Sequence, residues 1–248
     1  MECFIVLPED VDLARNELML RGEEAHHAIR SLRLHAGDEL LATNLIGACY
    51  QCRIEHSIGG MLTCSIEQVL PNFGEPKMDV LLIAAIISQP ARWEFLLEKA
   101  TELGVKAIEA IQTERTEPFH PRLERSKKIL RAAVKQTKRA WMPALIFAKD
   151  GSQEILFRDA MASAQAEGRT IIVLHEEAPP AHSIVNAIAS AIGQRLAIVV
   201  GPEGGFTTEE VRLAKSEFSA HIVSLGPRRL RAETASLAAL SIAMSHQR

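Results

Sequence analysis

Glu203, Arg228, Arg229, Arg231 and Glu233 crowd two short stretches near the end of the chain, LAIVVGPEGGFTTEE from Leu196 and LGPRRLRAETASLAAL from Leu225. Carboxylates and guanidinium groups framed by glycine and proline suit proton transfer on a polar substrate, with cations to take up developing negative charge. The elements that must position them follow from local pattern. Leu196 to Val200 reads as a short buried strand and Gly201 to Phe206 as a tight turn, and Thr207 with Glu210 forms the Thr-x-x-Glu capping box that starts a helix. His221 to Leu225 repeats the plan, with Gly226 and Pro227 breaking the strand before a helix that begins near Ala232. Two parallel strand-to-helix turns place their backbone N–H groups at one carboxyl edge of a sheet, where a small polar ligand is cradled. Any α/β protein has several such connections; the charged content sets this pair apart.

The bulk numbers bound what surrounds these loops. A chain of 248 residues with 47% hydrophobic composition is large enough for one sizeable domain or two smaller ones. No run of about 18 apolar residues occurs, and the opening MECFIVLPED lacks the pattern of a signal peptide, so no membrane span is expected and the cytoplasm is the default location. Net charge is −3, yet between Arg122 and Arg139 eight basic residues face a single acid, Glu124. At about 100° per residue, Lys127, Arg131, Lys135 and Lys138 share one stripe of a helix, which points to a polyanion surface rather than a merely solvated face. Cys3, Cys49, Cys52 and Cys64 are expected as free thiols. A strand through GACYQCRIEH would send Cys49 and Cys52 to opposite faces, so a metal site is not expected. Neither a G-x-G-x-x-G after the first strand nor a G-x-x-x-x-G-K-[ST] is present, which ranks nucleotide-dependent oxidoreductases and kinases last.

Along the chain, residues 1–70 read as a strand from Cys3 to Leu7, a short helix carrying His26 to Leu32, and strands near Asp38–Thr43, Ala48–His56 and Met61–Leu70, the spacing of a small barrel. Residues 71–77, with Pro71, Gly74 and Pro76, read as a linker. From 78 to 248 the rhythm changes. Apolar runs at Val80–Ile87, Ala107–Ile111, Leu145–Phe147, Thr170–Leu174, Leu196–Val200 and Ile222–Leu225 alternate with helical stretches, which predicts a parallel sheet with crossovers. Pro179 and Pro180 are expected to break the chain before a helix over Ala181–Ala191.

GPEGG together with LG-x-x-x-LR-x-ETA resembles the RsmE family of the SPOUT, or α/β-knot, methyltransferases. Three further stretches are similar to that family in the same order: His26-His27 through Ile29-Arg30-Ser31-Leu32-Arg33 to Gly37-Asp38; Lys99-Ala100-Thr101-Glu102-Leu103-Gly104-Val105; and Gln136, Arg139 and Pro143. Glu2 and Cys3 stand where the family has arginines, and of its Lys-Gly-Asp-Arg run only Arg92 is matched. The resemblance implies an N-terminal PUA-like β-barrel that binds RNA, a C-terminal domain with a deep trefoil knot, and a homodimer. It also implies S-adenosyl-L-methionine as cofactor and methylation of N3 of the uracil at position 1498 of 16S rRNA in the 30S subunit. Action on another ribosomal or transfer RNA base, or a non-catalytic role in ribosome assembly, are the alternatives.

In the family pattern the cofactor sits among three loops, here Leu174-His175-Glu176, Gly201-Pro202 with Gly204-Gly205, and Leu225-Gly226 through Leu230-Arg231, with Thr234 and Ala235 closing the methionine end. Uracil N3 carries a proton at neutral pH, so a base must accept it while cations stabilise charge spread onto O2 and O4. Glu203 or Glu233 is the candidate base; Arg231 or Arg139 is the candidate cation, arginine itself being always protonated. Plainer roles exist, a turn carboxylate for Glu203 and a helix-dipole partner for Glu233. For RNA, Arg30 and Arg33 lie three apart with His26 one turn back, and Lys127, Arg131, Lys135 and Lys138 form the second basic surface. With 4% aromatic residues, Phe206 and Trp141 are the candidates for stacking on a base.

Overall fold

The computed structural model describes residues 1–147, 155–179, 182–191 and 195–246. These fall into two compact units, one of residues 1–75 with 131–142 and the other of 76–130 with 143–246.

The first unit is a six-stranded sheet built from β1 (Cys3–Ile5), β2 (Val11–Asp12), β3 (Glu17–Leu20), β4 (Glu39–Thr43), β5 (Ala48–Ile58) and β6 (Met61–Pro71) in the order β1-β4-β5-β6-β3-β2. All pairs are antiparallel except β1 with β4. The sheet closes over Phe4, Leu18, Leu20, Leu40, Tyr50, Ile54 and Leu62, against which Ala25 and Ala28 of the helical segment pack. That segment runs as α1 (Gly22–His26) and continues as one wider turn over His27–Ser31. Alternation along β5 separates the thiols: Cys52 joins this core while Cys49 joins Cys3, Leu41 and Ala140 in a smaller cluster. The two short strands β2 and β3 have no counterpart in the sequence expectation, since two and four residues are too few to show a period.

The second unit is an all-parallel sheet of β7 (Asp79–Ala85), β8 (Ala107–Ile111), β9 (Ala144–Ile146), β10 (Thr170–Leu174), β11 (Arg195–Val200) and β12 (His221–Val223), ordered β12-β10-β11-β7-β8-β9. Helices flank it on both faces, so β7, β10 and β11 are apolar at almost every position rather than alternating. The connecting helices are α2 (Pro90–Glu102), α3 (Leu123–Thr137, which runs on into the first unit), α4 (Phe157–Ala166), α5 (Ile184–Ala189), α6 (Thr208–Phe218) and α7 (Ala232–Ser245). Helix α5 is shorter than expected; Pro180 and Ala181 lie outside the described residues. Among the described residues no helix is long and apolar enough to cross a membrane.

Candidate active site

At the carboxyl edge of the second sheet a cavity of about 1160 Å³ opens between the loops that leave β10, β11 and β12. The chain makes these loops sharply. Val200 ends the strand, Pro202 accepts a hydrogen bond from Gly205 N at 2.8 Å, and Gly205 takes a φ of +68° that a residue with a Cβ adopts only with strain. Thr207 then caps α6 in the expected box: its hydroxyl accepts from Glu210 N, and the Glu210 carboxylate accepts from Thr207 N at 2.8 Å. The N–H groups of Glu203 and Gly204 find no partner among the described residues and remain free to donate to a ligand.

The charged groups arrange themselves around Arg92, in the first turn of α2. Its Nε and Nη2 donate to the two oxygens of Glu233 at 2.8 and 2.7 Å, and Nη1 reaches Glu203 Oε1 at 3.4 Å. Burial pushes the Glu233 carboxyl upward, but the Arg92 guanidinium outweighs it and holds the group below the ordinary carboxylate range. Glu203 is less enclosed: its side chain is 29% exposed against 9% for Glu233, and Ser88 Oγ is its other partner at 3.4 Å. Arg229 spans the mouth, 3.5 Å from Glu176 and 3.3 Å from the Glu203 carbonyl oxygen.

Two family models match: one described as an RNA methyltransferase domain over residues 74–244, the other as an RNA methyltransferase PUA domain over residues 20–67. Among curated proteins, the ribosomal RNA small subunit methyltransferase E of Mycobacterium tuberculosis is 31% identical, with 88% of this chain and 82% of that protein aligned. Its counterpart from Bacillus subtilis is 29% identical over 92% of this chain and 89% of its own length. The chain belongs to the ribosomal RNA small subunit methyltransferase E family. Solved structures agree. The family's protein from Neisseria gonorrhoeae, bound to S-adenosyl methionine, superposes with a TM-score of 0.80 at 27% identity, covering 97% of this chain and 95% of that one. A Legionella pneumophila methyltransferase in complex with the same cofactor gives 0.74 at 26% identity, covering 99% and 97%.

For this member of the methyltransferase E family, the structure gathers most of the residues singled out from sequence. Leu174, His175, Glu176, Gly201, Pro202, Gly204, Gly205, Leu225, Gly226, Leu230, Arg231 and Ala235 all line the cavity, as does Glu203. Five residues take other places than the sequence reading gave them. Thr234 is exposed and does not line the cavity, because the first turn of α7 points it away from the side that Ala235 presents. Glu233 is 7% exposed and likewise absent from the lining, being turned onto Arg92. Arg139 is not at the site: its guanidinium is buried in the first unit, bonded to both oxygens of Glu75 at 3.1 and 2.7 Å. Phe206 borders the cavity but is 4% exposed and packs at a tilt on Phe157, ring centroids 5.2 Å apart, and the indole of Trp141 is bonded to Asn72.

The basic surfaces are divided in the same way. His26, Arg30 and Arg33 are exposed, and neither arginine has a partner among the described residues. The stripe on α3 does not survive as drawn. Lys135 is paired with Glu24 at 2.8 Å and lies over the Phe4 ring, and Lys127 is paired with Glu124, leaving Arg131 and Lys138 exposed, the latter beyond the helix with a φ of +57°. Arg92 and Arg115 line the cavity without having been assigned a role from sequence. Arg92 was matched to the family's run but given no role, and nothing local shows what either arginine bonds, since their partners are 141 and 89 residues away.

Proposed function

We propose that the protein transfers a methyl group from S-adenosyl-L-methionine to N3 of a uridine in 16S rRNA, position 1498, acting on the 30S subunit or its RNA in the cytoplasm as a homodimer. The observation that carries the reading is the cavity itself. It joins free backbone N–H donors, carboxylates at Glu176 and Glu203, and apolar walls from Leu174, Val200, Ala232 and Ala235. Those features fit a ligand with an aromatic base, a ribose, an ammonium and a carboxylate. When bound, the cofactor supplies an electrophilic methyl group; the chain supplies everything else.

Glu203 accepts the N3 proton, directly or through a water, in preference to Glu233. It faces the cavity, whereas Glu233 is turned away and neutralised by a two-point ion pair. Arg92 and Arg231, both lining the cavity, are the cations that stabilise negative charge on the uracil oxygens as the proton leaves. Arg139 has no part in this chemistry. The same reading assigns a PUA-like RNA-binding domain to residues 1–70, a linker to 71–77 and a knotted methyltransferase domain to 78–248.

The test is transfer of labelled methyl from the cofactor to 30S subunits and to protein-free 16S rRNA, with the product nucleoside identified by mass spectrometry. N3-methyluridine at one site is expected; cofactor binding with no methylated product would reject the substrate assignment. Glu203→Gln is expected to lower turnover by about 10²- to 10⁴-fold with cofactor affinity retained. Undiminished turnover would remove Glu203 from the role.

A further inference from the structure

Resting on the reading of the cavity as the cofactor site, we infer that Arg115 is a positioning residue that sets the shape of the Gly201–Phe206 loop and so the affinity for S-adenosyl-L-methionine. Arg115 stands in the connection after β8, and that connection is itself tied down. Gln112 exchanges backbone hydrogen bonds with Ile155 and Phe157 at 2.9 and 3.1 Å, and Thr113 N donates to the Thr116 hydroxyl at 2.9 Å. From this fixed turn the Arg115 guanidinium reaches the glycine loop, donating through Nη1 to the Gly204 carbonyl at 2.9 Å and to the Phe206 carbonyl at 3.5 Å. It has no carboxylate partner among the described residues, so its charge is directed at these two peptide groups.

Both peptides lead onward. The one with the Gly204 carbonyl carries Gly205 N, bonded to the Pro202 carbonyl, and the one with the Phe206 carbonyl carries Thr207 N, bonded to Glu210. Glu210 closes the circuit, because its other oxygen accepts from Glu114 N at 3.0 Å. The turn bond and the capping box are thus both tied, through Arg115 and the residue before it, to the connection after β8. The groups left over are the N–H donors of Glu203 and Gly204. Arg115 also sits so close that a Cβ on residue 204 would lie 3.2 Å from its own Cβ, which explains the glycine there.

The experiment compares the full-length wild type with Arg115→Ala, Arg115→Lys and Glu210→Ala. Three quantities are read: the dissociation constant for S-adenosyl-L-methionine by calorimetry, amide exchange at Gly205 and Thr207 in ligand-free protein, and the split between KM for the cofactor and kcat. Loss of charge-assisted bonds to two carbonyls is expected to weaken cofactor binding roughly ten- to thirtyfold in Arg115→Ala. Exchange at Gly205 and Thr207 should accelerate, and KM for the cofactor should rise by a larger factor than kcat falls, since the same loop carries Glu203. Arg115→Lys, which keeps a charge but bonds one carbonyl at a time, should recover part of the affinity. Glu210→Ala should accelerate exchange at Thr207. Unchanged exchange with cofactor affinity within about twofold in Arg115→Ala overturns the proposal, as does a fall in kcat at unaltered affinity. Failure of the wild type itself to bind the cofactor rejects the reading of the cavity, whereas faster exchange in its absence would still establish the brace.

Discussion

Arg92 and Glu233 meet across 141 residues of sequence with side chains only 17% and 9% exposed. A pair this enclosed is a poor source of net stability, but breaking it leaves one charge stranded in low dielectric. Arg92→Ala is therefore expected to lower unfolding free energy by about 2–4 kcal/mol, measured by urea denaturation. Arg92→Lys should recover part of the loss. The pH dependence has a definite sign. Because the Glu233 carboxyl titrates below the ordinary carboxylate range in the folded protein, the unfolded chain takes up its proton first as pH falls. The stability this group contributes is complete above the unfolded value of about 4.3 and is lost as pH drops through the folded one. Glu233→Gln should remove that part of the acid limb when unfolding is followed between about pH 5 and pH 3. Superimposable acid limbs for mutant and wild type would mean that Arg92 does not hold the carboxylate.

At the scale of elements, Arg139 shows how a residue of chemical promise becomes a structural one. It lies two residues past the end of α3, is 1% exposed, and with Glu75 fixes the segment after β6 against residues 139–141, where Trp141 N also donates to Glu75 at 3.1 Å. Arg139→Met is expected to destabilise the protein by about 3–5 kcal/mol while leaving calorimetric affinity for S-adenosyl-L-methionine within about twofold. A selective loss of catalysis with full stability would return Arg139 to the site. The sequence could not separate these outcomes. Strands β5, β6, β7, β8, β10 and β11 were legible because period-two alternation or an unbroken apolar run declares itself locally, as did the Thr207 cap and the glycine turns. What escaped was pairing across distance: Arg139 with Glu75, Lys135 with Glu24, Arg92 with Glu233, and Arg115 with the Gly204 carbonyl. A helix wheel ranks Lys127, Arg131, Lys135 and Lys138 together; it cannot show that an acid 111 residues earlier has neutralised one and that another lies past the helix end.

For the whole molecule the question is which cations of a chain of net charge −3 are available to hold a polyanion. Each Lys or Arg already paired in the protein must exchange one partner for another when a phosphate arrives, and it gains little. An unpaired one releases counterions from the nucleic acid instead. Arg30 and Arg33 are exposed and unpaired among the described residues, while Lys135 is bound to Glu24 and Phe4. The two classes should differ in the salt dependence of binding to 16S rRNA. Arg30→Ala with Arg33→Ala is expected to reduce the slope of log K against log salt by about 1.4–1.8, and Lys135→Ala by well under 0.5. Filter binding across a salt series reads both. Equal slopes for the double mutant and wild type would place the RNA elsewhere on the molecule. A large change for Lys135→Ala would mean that Glu24 gives up its partner on binding, and that the stripe on α3 is a real part of the interface after all.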